Sequence, residues 1–241
     1  MSDTIRLSNR LQTAADFVKP NARVADIGTD HAYLPAYLIK NGIASAAVAS
    51  DLLEGPLKRA KATLDRYLPE GGVLLHFGNG LSGLEDFQPD TVIICGMGGE
   101  LIASILTDAE WAWKPSVSFI LQPMTRPETL RKFLFENGFA IEKERLARDD
   151  KLYTVLLVRY TGEKRYLTET EAVIGFSDPA DSPELFLACL DRLHDVYLVR
   201  QQGKEKAGIG HASEDGILFA IEEMKRKAEP YERCGILPET E

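Results

Sequence analysis

The feature that most constrains this chain is a rhythm. Short apolar runs at 23–27, 46–50, 73–77, 91–95 and 117–121 alternate with helix-like segments near 33–41, 55–67, 99–107 and 127–137. Apolar runs of this length, without strict alternation of polar residues, suit strands buried on both faces. Strands separated by helices build parallel βαβ units, and right-handed crossovers fix most of their topology.

After Gly138 the rhythm breaks. Residues 139–147 and 152–160 are strand-like runs joined only by Arg148-Asp149-Asp150-Lys151. That connection is too short for a parallel return, so the two runs pair as a hairpin. The expectation is an α/β, Rossmann-like sheet of seven strands finished by an antiparallel hairpin. Ahead of the sheet, Leu7, Leu11, Ala14, Ala15 and Val18 predict a helix within 5–18, ended by Pro20 and Asn21. Behind it, residues 163–183 read as a linker rich in Thr, Glu, Asp and Pro. Ser182 as N-cap and Pro183 at the first position then start a helix carrying Phe186, Leu190, Leu193, Tyr197 and Arg200. A second helix carries Ile217, Ile221, Met224 and Ala228, with Gly208-Ile209-Gly210 and Asp215-Gly216 as breakers between the two. The pair predicts a coiled-coil-like helical hairpin, dividing the chain into a unit at 1–161 and a second at 162–241.

Composition narrows the function classes. Three cysteines, Cys95, Cys189 and Cys234, lie far apart without a CxxC pair, which excludes a disulfide framework and gives no zinc-type spacing. His31 lies inside a motif, while His76, His194 and His211 are scattered, so no metal is expected. No stretch approaches the ~20 apolar residues of a membrane helix, and a cytoplasmic protein is expected. The net charge of −9 disfavours nucleic acid, but the acidity concentrates in the last third, leaving room for a basic face.

The residues able to do chemistry all follow strand ends. Asp26-Ile27-Gly28-Thr29-Asp30-His31-Ala32 leads from the first strand into a helix. In nucleotide-binding sheets of this kind the first turn lies beneath the ligand, where glycine permits close backbone approach. A dinucleotide fingerprint needs further glycines where Asp30 and Ala32 stand, and an aspartate there repels a pyrophosphate. NAD and FAD are disfavoured. S-adenosyl-L-methionine has no phosphate; its sulfonium and α-amino groups suit carboxylates such as Asp26 and Asp30. Asp51 ends the second strand near the spacing at which an acid binds a ribose diol. Gly78-Asn79-Gly80 follows the third strand, where Asn79 either pairs with an adenine edge or forms a turn. Cys95-Gly96-Met97-Gly98-Gly99 follows the fourth strand, and Cys95 reads as a buried thiol rather than a nucleophile. Gln122-Pro123-Met124 follows the fifth, where Gln122 either holds a base or leads into a helix.

DIGTDHAYLP at 26–35, GNGL at 78–81, GMGG at 96–99 and QPM at 122–124 resemble the TrmK family of bacterial tRNA (adenine(22)-N1)-methyltransferases. Leu7-Ser8-Asn9-Arg10-Leu11 and Leu152-Tyr153-Thr154 share in the resemblance, which covers nearly all of 1–160. The helical hairpin matches that family's coiled-coil domain in architecture alone. Ile94-Cys95 stands where an alanine is expected before GMGG, which leaves the loop intact. The resemblance implies a class I methyltransferase domain, S-adenosyl-L-methionine as cofactor, tRNA as partner and N1 of an adenine in the D-arm as target. It implies that Asp26, Gly28 and His31 line the methionine end of the cofactor, while Asp51 and Leu52 hold ribose and adenine. Gly78 and Asn79 would flank the adenine, and Gly96 and Met97 would face the transferred methyl.

The candidate RNA contacts are Arg10, Gln122 and Arg126, with Arg6, Lys58, Arg59, Arg131 and Lys132 as further cations for the phosphate backbone. No general base is named, because neutral adenine N1 already has a lone pair. Two other readings stay open: methylation of another RNA or a small molecule, which a closed pocket would favour, and a cofactor-binding module without catalysis. The sequence leaves the oligomeric state open, with a monomer as the expectation.

Overall fold

The computed structural model describes residues 4–234; residues 1–3 and 235–241, the outer ends of the two expected units, lie outside the described residues. One sheet contains β1 (Ala22–Ile27), β2 (Ala44–Asp51), β3 (Val73–Phe77), β4 (Thr91–Gly98), β5 (Ser118–Thr125), β6 (Phe139–Arg148) and β7 (Leu152–Tyr160). Their order is β3-β2-β1-β4-β5-β7-β6. The first five strands run parallel, and β7 is antiparallel to both β5 and β6.

Both faces of the sheet are covered, which explains the continuous apolar runs. Val92, Ile94, Phe119 and Leu121 pack under α4 (Gly99–Thr107) and α5 (Pro127–Glu136). Val24, Ile93, Ile120 and Val155 face the opposite way, toward α1 (Asn9–Ala15) and α2 (Tyr33–Lys40). The alternation of Ile93 with its two neighbours is the two-residue period of a strand. Helix α3 (Glu54–Tyr67) closes the β2–β3 crossover and buries Ala60 and Leu64. Helix α1 is shorter than the apolar spacing predicts. The chain before it is extended, and Ile5 is buried in a cluster with Ala32, Ala36 and Ala60.

The chain reverses its winding direction after β3: it returns across β1 to place β4 on the other side. Adjacent crossovers leaving in opposite directions open a crevice at the carboxyl ends of β1 and β4, where open α/β sheets bind ligands. Strands β4 and β5 also run further than their apolar cores. Their ladder continues past Cys95↔Gln122 to Met97↔Pro123 and Gly98↔Thr125, slipping at Gly96 on β4 and again between Met97 and Gly98, where β5 passes over Met124.

The segment expected to be a linker is tied down. It contains α6 (Glu169–Ile174), started by a reciprocal capping box between Thr168 and Glu171. Beneath it lies a buried ion pair. Arg131 of α5 donates from Nε and Nη2 to Glu144 of β6 at 3.0 and 2.6 Å, and from Nη1 to the Ala172 carbonyl at 2.7 Å. Glu144 also accepts from the Phe176 N–H at 3.2 Å and the Ser177 hydroxyl at 3.3 Å. Gly175 (φ +80°) passes so close that a Cβ would lie 2.5 Å from Arg131 and from Glu144. Arg131 is therefore not an RNA contact, because its guanidinium is spent inside the protein.

Helices α7 (Pro183–Lys206) and α8 (Ala212–Cys234) form the hairpin, with Phe186, Leu190, Tyr197, Ile217, Ile221 and Ala228 packed against Val173 and Ile174. Ser182 precedes α7 without a side-chain cap bond. Asp215 and Gly216, expected to break the chain, lie inside the first turns of α8; burial of Ile217 and Ile221 holds that turn helical. Only the Gly208 region separates the two helices.

Removing one partner of a buried ion pair strands the other charge and costs about 3–5 kcal/mol. Glu144→Ala is expected to lose stability of that order in urea denaturation. Lys132→Ala, which breaks the exposed Lys132–Glu169 pair, should change it by less than about 1 kcal/mol. Equal effects from the two substitutions would contradict the assignment.

Candidate active site

The crevice begins at Asp26. This carboxylate stands one residue before the end of β1 with 6% of its surface exposed. Burial pushes its pKa up to about 6, against the lowering effect of a hydrogen bond from the Thr29 hydroxyl; the Asp51 carboxylate adds to the rise. Thr29 accepts in turn from the Ala32 N–H at 3.1 Å. The turn is closed by the Ser50 carbonyl, which accepts from Gly28 N–H at 2.8 Å and Thr29 N–H at 3.0 Å. Gly28 (φ +75°) must be glycine for a second reason: the Met97 methyl lies 2.0 Å from where its Cβ would be. Thus the β1 and β4 loops touch, bringing Gly28, Met97 and Asp26 together.

Asp30 is less free than its sequence position suggests. Arg59 of α3 donates to it from Nε at 2.9 Å, and His31 Nε2 lies 3.4 Å away. The His31 ring stacks on Tyr33 with centroids 5.5 Å apart. With Asp30 neutralised by Arg59, Asp26 is the buried acid of this corner.

At the end of β2, Asp51 accepts from the Leu53 N–H at 2.8 Å, fixing the turn and leaving Leu52 and Leu53 more than half exposed. Phe77, at the end of the adjoining β3, is likewise exposed. The Gly78 N–H donates to the Asp51 carbonyl at 3.1 Å, and the Asn79 carbonyl accepts from Ser82 N–H at 3.1 Å. These bonds draw Asp51, Leu52, Gly78 and Asn79 to one end of the crevice, beside an apolar surface suited to a planar ring.

The other end is built on Gln122. This side chain is fully buried, and its Oε1 accepts from two donors: the Gly96 N–H at 3.1 Å and Arg10 Nη1 at 3.0 Å. Its Nε2 donates to the Pro123 carbonyl at 3.1 Å. Gln122 thus holds the Gly96 loop (φ +82°) and Arg10 rather than presenting an open amide. Arg10 is pinned from behind by Asp149 in the β6–β7 turn, with Nε 3.6 Å from the carboxylate. Asp149 also accepts the Asn9 N–H at 2.8 Å, and Asn9 Nδ2 donates to the Arg148 carbonyl at 2.6 Å. Asp26 and Arg10 both act on the Cys95 thiol, which burial pushes up and keeps protonated.

Arg126 stands outside this network, exposed at the N-cap of α5 with Glu100 at 3.6 Å. Lys58 pairs with Glu54, and Lys132 with Glu169. Thr29, Ser50 and Asp149 are neighbours of the crevice that no local signal singles out: an acid in a tight polar turn reads as solvated. Among the described residues no cluster of His, Cys, Asp and Glu suits a metal ion, and no helix is long and apolar enough to cross a membrane.

Comparison with known proteins agrees with this geometry. A family model described as a methyltransferase domain matches residues 7–156. The tRNA (adenine(22)-N(1))-methyltransferase of Bacillus subtilis (strain 168) is 36% identical over 154 residues, which is 64% of this chain and 65% of that protein. The crystal structure of the B. subtilis m1A22 tRNA methyltransferase TrmK aligns with a TM-score of 0.75 and 26% identity, covering 95% of this chain and 99% of that one. The chain belongs to the TrmK family. A further TrmK-like structure, Streptococcus pneumoniae Sp1610, was solved in complex with S-adenosyl-L-methionine and is described as a putative tRNA (m1A22) methyltransferase. It gives a TM-score of 0.78 at 27% identity, covering 91% of this chain and 100% of that one. The structural likeness therefore extends over the helical hairpin as well as the sheet.

The raised pKa of Asp26 makes a stability prediction. The folded state holds its proton up to about pH 6 while the unfolded chain releases it near 3.8, so this group lowers stability as pH rises between those values. The full penalty above pH 6 is about 3 kcal/mol. Asp26→Asn should recover stability of that order in urea denaturation at pH 7, and the gain should vanish below about pH 4. A gain independent of pH would contradict this account.

Proposed function

We propose that the chain is a tRNA methyltransferase that moves a methyl group from S-adenosyl-L-methionine to N1 of the adenine at position 22, in the D-arm. The observation that carries this reading is that the Asp26 carboxylate and the Arg10 guanidinium, held by Gln122 beside Gly96, both lie close enough to the Cys95 thiol at the crevice to act on it. Their opposite charges suit the two ends of an amino acid. Asp26, desolvated and without a cationic partner of its own, would face the α-amino and sulfonium side. Arg10, pinned by Asp149 and Gln122 beside Gly96, would face the carboxylate. Asp51 would take the ribose diol, with Leu52 and Phe77 against the adenine and Gly78 and Asn79 at its edge. Gly28 and His31 would complete the methionine end, and Gly96 with Met97 would line the methyl. The residues present fit the cofactor.

When bound, the cofactor supplies an electrophilic methyl on sulfur. The residues supply alignment. Neutral adenine N1 attacks with its own lone pair, so no side chain has to remove a proton first. The work of the site is to hold N1 within roughly 3–3.5 Å of the methyl and in line with the breaking bond. The product base is cationic as the sulfonium charge disappears, so the surrounding carboxylates keep a positive charge to stabilise throughout. The thiol of Cys95, kept protonated, takes no part. The exposed Arg126 would meet the RNA at the rim. Location in the cytoplasm, where tRNA is modified, belongs to this reading.

The test is transfer of labelled methyl from S-adenosyl-L-methionine to unmodified tRNA, followed by identification of the nucleoside. N1-methyladenosine at position 22 is expected, and Asp51→Ala should weaken cofactor binding by roughly 10- to 100-fold. Absence of label in tRNA, or label at another atom, would refute the proposal.

A further inference from the structure

Helix α1 starts without a cap of its own: Ser8, just before it, makes no side-chain hydrogen bond to the first turn. The acceptor comes instead from a turn 140 residues along the chain. Asp149, between β6 and β7, takes the Asn9 N–H on Oδ1 at 2.8 Å and the Arg10 N–H on Oδ2 at 3.4 Å. A residue directly before the helix ordinarily supplies such a bond. Asp149 Oδ2 also lies 3.6 Å from Arg10 Nε, and both side chains are mostly shielded from water. Asn9 Nδ2 returns a bond to the Arg148 carbonyl at 2.6 Å. One carboxylate therefore holds Arg10 by its backbone and by its side chain.

The chain ahead of α1 is extended and is held at its other end by burial. Ile5 packs with Ala32, Ala36, Ala49, Ala60 and Leu64, and Leu7 joins that cluster to the one holding Leu34 and Ile93. Arg10 then reaches Gln122, with Gly96 beside it. Ala32, Gly96, Gln122 and Asp149 stand at or near the carboxyl ends of β1, β4, β5 and β6. Residues 5–10 thus form a strap along the rim that holds the cofactor crevice, fixed by Ile5 at one end and by Asp149 at the other. The Asp149 end is the weaker, because its bonds with Asn9 lie at exposed sites. Bonds open to water break locally far more often than a packed sheet unfolds. We infer that Asp149 is a positioning residue for the cofactor: it latches this strap and aims Arg10 at the carboxylate of the methionine end, and that end enters and leaves as the latch opens. The inference rests on the role given to Arg10 above. Gln122 orients one nitrogen of the guanidinium, whereas Asp149 fixes where the helix carrying it begins.

The experiment uses the full chain and three probes: S-adenosyl-L-methionine, S-adenosyl-L-homocysteine and 5′-methylthioadenosine, which lacks the amino-acid end. Asp149→Ala is expected to raise the Kd of the first two on the order of tenfold, mainly through faster dissociation, and to leave that of methylthioadenosine within about twofold. Asp149→Asn should recover most of the loss, since its amide oxygen still accepts the Asn9 N–H. Arg10→Ala should weaken the same two probes, and adding Asp149→Ala to it should weaken them no further, because the two residues act as one unit. In the wild type, S-adenosyl-L-methionine should slow amide hydrogen exchange across residues 5–10. Wild-type affinities in Asp149→Ala, an equal loss for methylthioadenosine, or an additive loss in the double variant would overturn the inference and leave the methyltransferase reading standing. A wild-type protein that binds none of the three probes would overturn both.

Discussion

The site depends on one constraint of the sheet: the winding direction reverses between β1 and β4. Helical crossovers cover both faces of the parallel strands, yet at the reversal they diverge and leave the strand ends open. Burial on both faces makes the β1 core apolar, so a carboxylate placed at its last turn is desolvated before any ligand arrives. The raised pKa of Asp26 follows from that position. So does the need for Gly28, where the Met97 methyl occupies the space of a side chain.

The second organising interaction is the double acceptor role of Gln122. A buried amide oxygen shared between the Gly96 N–H and Arg10 links the β4 loop, the N-terminal helix and the hairpin turn carrying Asp149. Elements far apart in the chain thereby fix one guanidinium against one glycine. A network of this kind is sensitive throughout, since loss of any member leaves a buried polar group without its partner. On the far side, Arg131 and Glu144 perform a similar service, joining α5, β6 and the segment around α6. The helical hairpin is consequently packed on a fixed base.

Much of the fold was legible in the sequence because its signals are local. Runs of β-branched and aliphatic residues give strands, turn glycines give strand ends, and the four-residue link between the last two runs forces a hairpin. The candidate site was legible at Asp26, Gly28, Asp51 and Gly96 for the same reason: each sits where a strand ends. What escaped is non-local. Nothing in the neighbourhood of Arg131 distinguishes it from an exposed helical cation, and its partner Glu144 lies across a β-strand. Gln122 looked available because its two donors come from residues 10 and 96. Asp215 and Gly216 looked like breakers because local propensity is weaker than the burial of Ile217 and Ile221.

In the proposed function the Asp26 carboxylate would answer the cationic end of S-adenosyl-L-methionine. That claim is tested most directly by counting protons exchanged when the cofactor binds, using calorimetry at pH 6 in buffers of different ionisation enthalpy. Asp26 is then near its midpoint in the free protein, while an α-amino group is already protonated. A bound cation should lower the carboxyl pKa and release about half a proton per cofactor, and Asp26→Asn should abolish that release. Binding with no proton released, or with the same release in the asparagine variant, would contradict the account.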